Sequence, residues 1–279
     1  MREVPDHIKT TVGAALVEDV GSGDLTAALI AHESYINASV ISREDATLCG
    51  TLWFDETFQQ LDPSIEISWQ LEDGRQVTAD QTVCRLHGPA KPILTGERTA
   101  LNFLQLLSGT ATQARRYVAA IQGTKARILD TRKTIPGLRL AQKYAVTVGG
   151  ARNHRFGLYD GILIKENHLR SVPSIEEAIL LAQRESPVGC LVEIEVESIG
   201  ELEEALRAGA QRILLDNFTL DELKQAVVLN AGRAELEVSG GVTLDSIRSI
   251  ADTGVDFISV GAITKHVRAV DFSLEFDSI

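Results

Sequence analysis

From residue 125 onward the chain alternates short β-rich runs with amphipathic helical ones, and that rhythm leaves few folds open. ARILDT (126–131), DGILIK (160–165), LVEIEVES (191–198), RILLDN (212–217), AELEVSGG (234–241) and DFISVGA (256–262) read as strands. Between them, SIEEAILLAQRE, IGELEEALRAGA, TLDELKQAVVL and LDSIRSIADTG carry apolar residues at helical spacing. Parallel strands need such crossovers, because a tight turn cannot join them. Six strands of this kind fit either an α/β barrel or a doubly wound sheet. The polar residues favour the barrel. Thr131, Arg132 and Lys133, then Lys165, then Glu193, Glu195 and Glu197, then Asp216, Ser239–Gly240–Gly241 and Gly261 all stand at strand ends, and they converge on one point only if the sheet closes.

The first part of the chain has a different period. A helical start is broken at Gly21–Ser22–Gly23, and Asp24 is placed to cap LTAALIA. From Tyr35 strand-like alternation takes over, with Ile65, Ile67 and Trp69 on one face, a turn at Asp73–Gly74, and a further short strand in TVCRLHGPAKPIL. These make a small α+β unit, so domains are expected at 1–108 and 109–279. Thr95 is expected to cap the next helix and Ser108–Gly109 to interrupt it. That would place Arg98 in a first turn, where the helix dipole opposes a cation by about 0.3–1 kcal/mol.

Charge narrows the function. The chain carries a formal −12, yet residues 130–170 hold eight Lys and Arg against three acids, 8 − 3 = +5, which leaves −17 for the rest. A cation cluster inside an acidic protein points to a small polyanionic ligand rather than to nucleic acid or an anionic membrane. No run of apolar residues is long enough to span a membrane and MREVPDHIKT has no signal-peptide core, so a cytoplasmic protein is expected. Cys49, Cys84 and Cys190 have neither CxxC nor zinc-ligand spacing and read as reduced core thiols.

Arg132, Lys133, His154, Arg155 and Lys165 could together neutralise several negative charges, guanidinium forks binding carboxylate or phosphate two-pronged and lysines acting as point charges. Each alone could merely solvate a loop; it is their joint placement at strand ends that argues for a site. Glu193, Glu195 and Glu197 share one face of a strand by period 2. Glu195 and Asp216 could accept bonds from sugar hydroxyls or act as hard oxygen ligands for magnesium. Ser239–Gly240–Gly241 could cradle a phosphate with backbone N–H groups. No nucleophile elbow, HExxH, Walker A loop or GxGxxG is present.

DTRKTIPGLR (130–139), GGARNHRFGL (149–158), LIKENH (163–168), LVEIEVES, ILLDNF (213–218), SGGV (239–242) and SVGAITKH (259–266) resemble the quinolinate phosphoribosyltransferases, as do EDVGSGDLTA (18–27) and TGERTALNFL (95–104). The resemblance runs in order along nearly the whole chain. It implies a small amino-terminal α/β sandwich followed by a seven-stranded α/β barrel, one strand more than can be counted. It also implies a homodimer in which Arg98 enters the partner's site. The implied reaction joins quinolinate to phosphoribosyl pyrophosphate with magnesium and gives nicotinate mononucleotide, pyrophosphate and carbon dioxide, a step of NAD synthesis.

By the same resemblance Arg98, Arg132, His154, Arg155 and Lys165 would hold quinolinate's carboxylates, with Thr131 in the binding set and Lys133 near the ring and pyrophosphate. Glu195 and Asp216 would meet the ribose hydroxyls or magnesium, Glu195 being chosen over Glu193 for its distance to Asp216. Ser239, Gly240 and Gly261 would hold the 5′-phosphate, with Gly241 and Ala262 also in the substrate-binding set. Lys133, Lys165, Glu195 and Asp216 are the residues expected to act in the chemistry. Lys265 stands where some members have His. Rival readings are the molybdenum-transport-associated paralogue of the same fold, against which the full carboxylate-binding set argues, a barrel aldolase with Lys165 as Schiff-base lysine, and a non-catalytic anion-binding module.

Overall fold

The structure, a computed structural model, describes residues 5–30 and 34–276. Packing divides the chain into two units: one takes the chain through Arg115 with Ile135–Gly150 and the stretch from His266, and the other takes Arg116–Thr134 and Ala151–Lys265. The opening helix runs Asp6–Val20. Of its expected span, residues 1–4 lie outside the described residues, as does Ala31 at the end of LTAALIA.

The first unit is built on an antiparallel sheet in the order Phe272–Phe276, Tyr35–Ser42, Thr82–Pro89, Glu66–Trp69. Its core joins Val40, Phe54, Phe58, Leu86, Leu101 and Leu104, and Ile65, Ile67 and Trp69 pack against it from one face, as their alternation requires. Burial of such side chains stabilises by about 1.5–3 kcal/mol each. The Asp73 turn does more than reverse the chain. Its carboxylate accepts from the N–H groups of Gly50 and Thr51, both at 3.2 Å, and so caps the helix Thr51–Leu61.

Three sequence expectations fail in this unit. Ser108–Gly109 does not interrupt a helix: one 31-residue helix runs from Ala90 to Ala120. A Cβ on Gly109 would lie 2.2 Å from the carbonyl oxygen of Arg268, so this glycine lets two backbones touch and does not end anything. Ser108 faces inward, accepting from Cys49 N at 2.9 Å and donating to Cys49 O at 3.1 Å. Because the helix begins at Ala90, Thr95 is not its cap and donates instead to Asp24 Oδ2 at 2.8 Å. Arg98 lies in the third turn, beyond the reach of the dipole penalty. Asp24 does cap its segment, accepting from Thr26 and Ala27 N–H, but that segment is a single 3₁₀ turn, Ala27–Leu29.

The boundary at 108/109 therefore falls inside a helix, and packing draws two later segments into the first unit. Helix Arg139–Val148 places Ala141 and Ala145 in a core with Ile8, Trp53 and Phe103. Strand Phe272–Phe276 pairs antiparallel with Tyr35–Ser42, Val40 opposite Leu274.

The second unit contains all six expected strands: Arg127–Leu129, Gly161–Ile164, Leu191–Val196, Arg212–Asp216, Glu235–Ser239 and Phe257–Ser259. Numbered first to sixth, they lie in the order first, sixth, fifth, fourth, third, second, and every pair is parallel. From the second strand to the sixth, sequence neighbours are thus sheet neighbours, without the reversal of a doubly wound sheet. The two edges are the first and second strands, and beside the first a parallel bridge joins Leu129 to Arg152. Arg152 fills the place of the seventh strand with a single residue pair, too short to be seen as a period. Ser174, Ser198 and Thr219 cap three crossover helices, each accepting from the N–H three residues on.

Gly109→Ala tests the close approach. Ala gains about 1 kcal/mol in helix propensity, whereas overpacking a dense core costs about 1–3 kcal/mol. A Cβ against a backbone carbonyl has no flexible side chain to yield, so a net loss is expected in denaturant unfolding; a gain in stability would refute the reading.

Candidate active site

In the second unit, parallel strands bring their C-terminal ends to one side, and with them the predicted residues. Lys165 follows the second strand and forms an ion pair with Glu195 of the third, the carboxylate being 12% exposed. Asp216 ends the fourth strand opposite Ser239 of the fifth. Asn217, absent from the predicted set, organises this corner. Its Nδ2 donates to Asp216 at 2.8 Å, its N–H donates to Ser239 O at 3.1 Å, and its own φ is +58°. Gly240 (φ +102°) lets the turn pass, since a Cβ there would sit 2.2 Å from Asn217 Oδ1; Gly241 is also left-handed. The signal for Asn217 was its type, because Asn tolerates a positive φ at the end of a strand.

Lys133 is fixed along its backbone: its N–H donates to Thr131 Oγ1 at 3.1 Å and its carbonyl accepts from Thr264 at 2.9 Å. A Cβ on Gly261 would lie 3.0 Å from Lys133 Cδ, so Gly261 makes room for the lysine stem. Ala262 begins the short helix Ala262–Lys265. Arg98 belongs to the other unit, where its side chain is 57% exposed with Glu97 at 3.8 Å.

The Asn153–His154–Arg155 segment is tied down from several directions. Asp130, fully buried, accepts from Asn153 Nδ2 at 2.7 Å and from His154 N–H at 2.8 Å. Arg155 N–H donates to His154 Nδ1 at 2.7 Å, and Arg155 Nη1 donates to Gly161 O at 3.0 Å. Burial lowers the pKa of the Arg155 guanidinium, and the neighbouring charge of Arg132 lowers it further. Two guanidiniums held in each other's field are stabilised by an anion bound between them.

His154 Nε2 faces inward to Glu193 Oε2 at 2.9 Å and Glu237 Oε1 at 3.6 Å. Glu193 and Glu237 come from the third and fifth strands, which are not neighbours, so their meeting on one imidazole shows the sheet curving around its interior. Their inward direction sets the facing of the third strand: Glu193 and Glu195 point in, with Ile194 and Val196 on the opposite side. Burial pushes the Glu193 carboxyl up to about 7. Glu237 rises to about 8, from burial first and the Glu193 charge second. Sequence reasoning missed Glu237, although period 2 from Ser239 along AELEVS puts it on the same inward face.

Family models match both halves of the chain: the quinolinate phosphoribosyl transferase N-terminal domain over residues 24–108 and its C-terminal domain over 110–275. The chain belongs to the quinolinate phosphoribosyltransferase family. It is 38% identical to a chloroplastic nicotinate-nucleotide pyrophosphorylase (carboxylating) of Oryza sativa, over 97% of this chain and 78% of the relative. Among solved structures it resembles the nicotinate-nucleotide pyrophosphorylase of Francisella tularensis (TM-score 0.95, 47% identity, 99% and 98% of the two chains covered). It also resembles NadC of Streptococcus pyogenes (TM-score 0.94, 38% identity, 100% of each chain). The family members' division at residues 108–110 follows the chain, whereas packing in this phosphoribosyltransferase crosses it twice.

The raised Glu237 carboxyl makes a stability prediction. Its folded pKa of about 8 lies above its ordinary value of 4.5, so the folded state holds the proton more tightly. Its stabilising contribution is complete below pH 4.5 and is lost as pH rises through about 8. Glu237→Gln cannot ionise, so its stability relative to wild type should improve between pH 5 and pH 9 by on the order of 2 kcal/mol. Parallel pH profiles of the two proteins in urea unfolding would refute this.

Proposed function

We propose that this protein transfers the phosphoribosyl group of phosphoribosyl pyrophosphate to the ring nitrogen of quinolinate, with loss of pyrophosphate and carbon dioxide, giving nicotinate mononucleotide for NAD synthesis. Family membership supports the reaction. The observation that carries it in this chain is the charge gathered at the C-terminal ends of the parallel strands, where Lys165 pairs with Glu195 and Asp216 stands opposite Ser239. Burial and Arg132 lower the pKa of the Arg155 guanidinium while Glu193 and Asp160 raise it, and quinolinate's two carboxylates would add to the anions that favour these cations.

The pyridine nitrogen attacks the anomeric carbon as the bond to pyrophosphate breaks, through a transition state with oxocarbenium character. Glu195 and Asp216, at the ribose, stabilise its positive charge, while Lys133 stabilises the departing pyrophosphate. The positive charge of the quaternary ring nitrogen then stabilises the carbanion left on the adjacent carbon as its carboxylate leaves as carbon dioxide, and solvent protonates that carbon. No covalent enzyme intermediate is required. Ser239, Gly240 and Gly241 offer a left-handed turn for the 5′-phosphate.

Magnesium fits the oxygen donors here: Glu195 Oε2 is engaged by Lys165 and Asp216 Oδ2 by Asn217, which leaves each carboxylate a second hard oxygen. Those two residues would hold it, and bound there it would neutralise charge developing on pyrophosphate. A homodimer is part of the same reading, because the exposed Arg98 guanidinium is available to a partner's site. The free thiols Cys49, Cys84 and Cys190 support a reducing cytoplasmic setting.

Incubation with quinolinate, phosphoribosyl pyrophosphate and magnesium should yield nicotinate mononucleotide and carbon dioxide in equal amounts. Quinolinate that binds but is never converted at high enzyme concentration would sink the assignment and favour the anion-binding module. In a second experiment, Arg98→Ala and Arg132→Ala, each reduced at least about 100-fold by loss of a charged carboxylate contact, are mixed. Recovery approaching a quarter of wild-type activity is the statistical expectation for heterodimers with one intact site; no recovery despite verified subunit exchange would place Arg98 in its own subunit's site.

A further inference from the structure

We propose that Asn217 is a positioning residue for the phosphoribosyl half of the reaction: it braces Asp216 against the Gly240 turn and so fixes the distance between the ribose acceptor and the 5′-phosphate cradle. The proposal rests on the function given above and assigns a role to a residue outside the predicted set.

Asn217 follows directly on the fourth strand and makes three contacts there. Its Nδ2 donates to Asp216 Oδ2 at 2.8 Å, its N–H donates to Ser239 O at 3.1 Å, and its side chain covers Gly240. A Cβ on Gly240 would lie 2.2 Å from Asn217 Oδ1, 2.9 Å from its Cγ and 3.0 Å from its N, so the amide takes the space that a side chain there would need. Charge sets the orientation of the amide. An Oδ1 turned to the carboxylate would put acceptor against acceptor, whereas Nδ2 gives Asp216 a donor.

Each contact fixes a different part of the corner. The Nδ2 bond engages one oxygen of Asp216 and holds the plane of the carboxyl, leaving the other oxygen for a ribose hydroxyl. The N–H bond adds a rung beyond the Asp216–Ser239 pair, where the ladder of the fourth and fifth strands ends. The amide rests on the Ser239–Gly240–Gly241 turn, both of whose glycines are left-handed. One side chain thus joins the acid of one strand to the turn that leaves the next.

The backbone holds the amide in place. Asn217 has φ +58°, a conformation that Asn and Asp adopt more readily than other non-glycine residues. Two residues on, Thr219 caps the helix Leu220–Asn230 and Glu222 closes the capping box, so the chain leaves Asn217 toward a fixed point. The Asn217 side chain is itself exposed, so its removal empties no core. Its work is alignment. A ribose 5-phosphate carries its hydroxyls and its phosphate at a set separation, and gains both contacts only where the protein keeps that separation too. A misplacement of about 1 Å can cost roughly 100-fold in rate.

Two substitutions separate the amide from the backbone. Asn217→Gly keeps the left-handed backbone and removes the amide, while Asn217→Asp keeps the shape but sets a carboxylate against Asp216 in place of the donor. Each should lower kcat/KM for phosphoribosyl pyrophosphate by about tenfold or more and leave the quinolinate Kd within about threefold of wild type. By calorimetry, wild type should bind nicotinate mononucleotide more tightly than nicotinate riboside, which lacks the 5′-phosphate, and that advantage should shrink about tenfold in both variants. An unchanged advantage, a parallel loss of quinolinate affinity, or wild-type kcat/KM in Asn217→Asp would each overturn the proposal. Gly240→Ala reads the brace without substrate: its loss of stability to urea should be smaller in the Asn217→Gly background, where the crowded amide is gone, and equal losses in both backgrounds would refute the contact. If wild type neither binds the mononucleotide nor converts quinolinate, the function falls and the positioning role with it, while the Gly240→Ala comparison still decides whether the two residues are packed together.

Discussion

A carboxylate can leave water only where something shares its charge. In the second unit two do so side by side: Glu193 is 1% exposed and Glu237 0%, and both converge on His154. That single arrangement fixes much else. It turns the alternate residues of the third and fifth strands inward, so Glu195 and Ser239 also face in, at the level of the strand ends. It anchors the segment after Arg152, whose one-residue bridge to Leu129 lies along the edge of the first strand. Charge is then sorted by depth along one strand, the carboxyl deep in the sheet being pushed toward its neutral form while its neighbour two residues on pairs with a lysine.

Much of this was legible in the residues. The six parallel strands and their crossover helices follow from period and capping, and all lie where the alternation puts them. The strand-end residues were legible because parallel strands deliver their ends to one side, so chain position alone gathered Lys165, Glu195, Asp216 and Ser239. Glu237 and Asn217 were overlooked for opposite reasons. Glu237 sits mid-strand, where an acid looks like a solvated residue until the facing strand is known. Asn217 acts through a backbone angle, which residue type only hints at.

Failures in the first unit share a physical cause. Gly and Ser read locally as helix punctuation, but a glycine in a helix can also serve close approach, and only the second chain segment, here Arg268, distinguishes the two. Ser108 likewise bonds Cys49, 59 residues away. A single cut at 108 follows the order of the chain, whereas helix Arg139–Val148 and strand Phe272–Phe276 are assigned by the apolar surface they bury and the sheet edge they pair. Such long-range terms lie outside any local window.

Pairing of Phe272–Phe276 with Tyr35–Ser42 also has a temporal side. The strand Tyr35–Ser42 has its outer edge covered by one made much later, Val40 finding Leu274, 274 − 40 = 234 residues on. On the ribosome the earlier strand must wait, with unpaired N–H and C=O groups along that edge, until Phe272–Phe276 has emerged. A nascent or clipped chain lacking Phe272–Phe276 thus exposes a β-edge available to neighbouring chains.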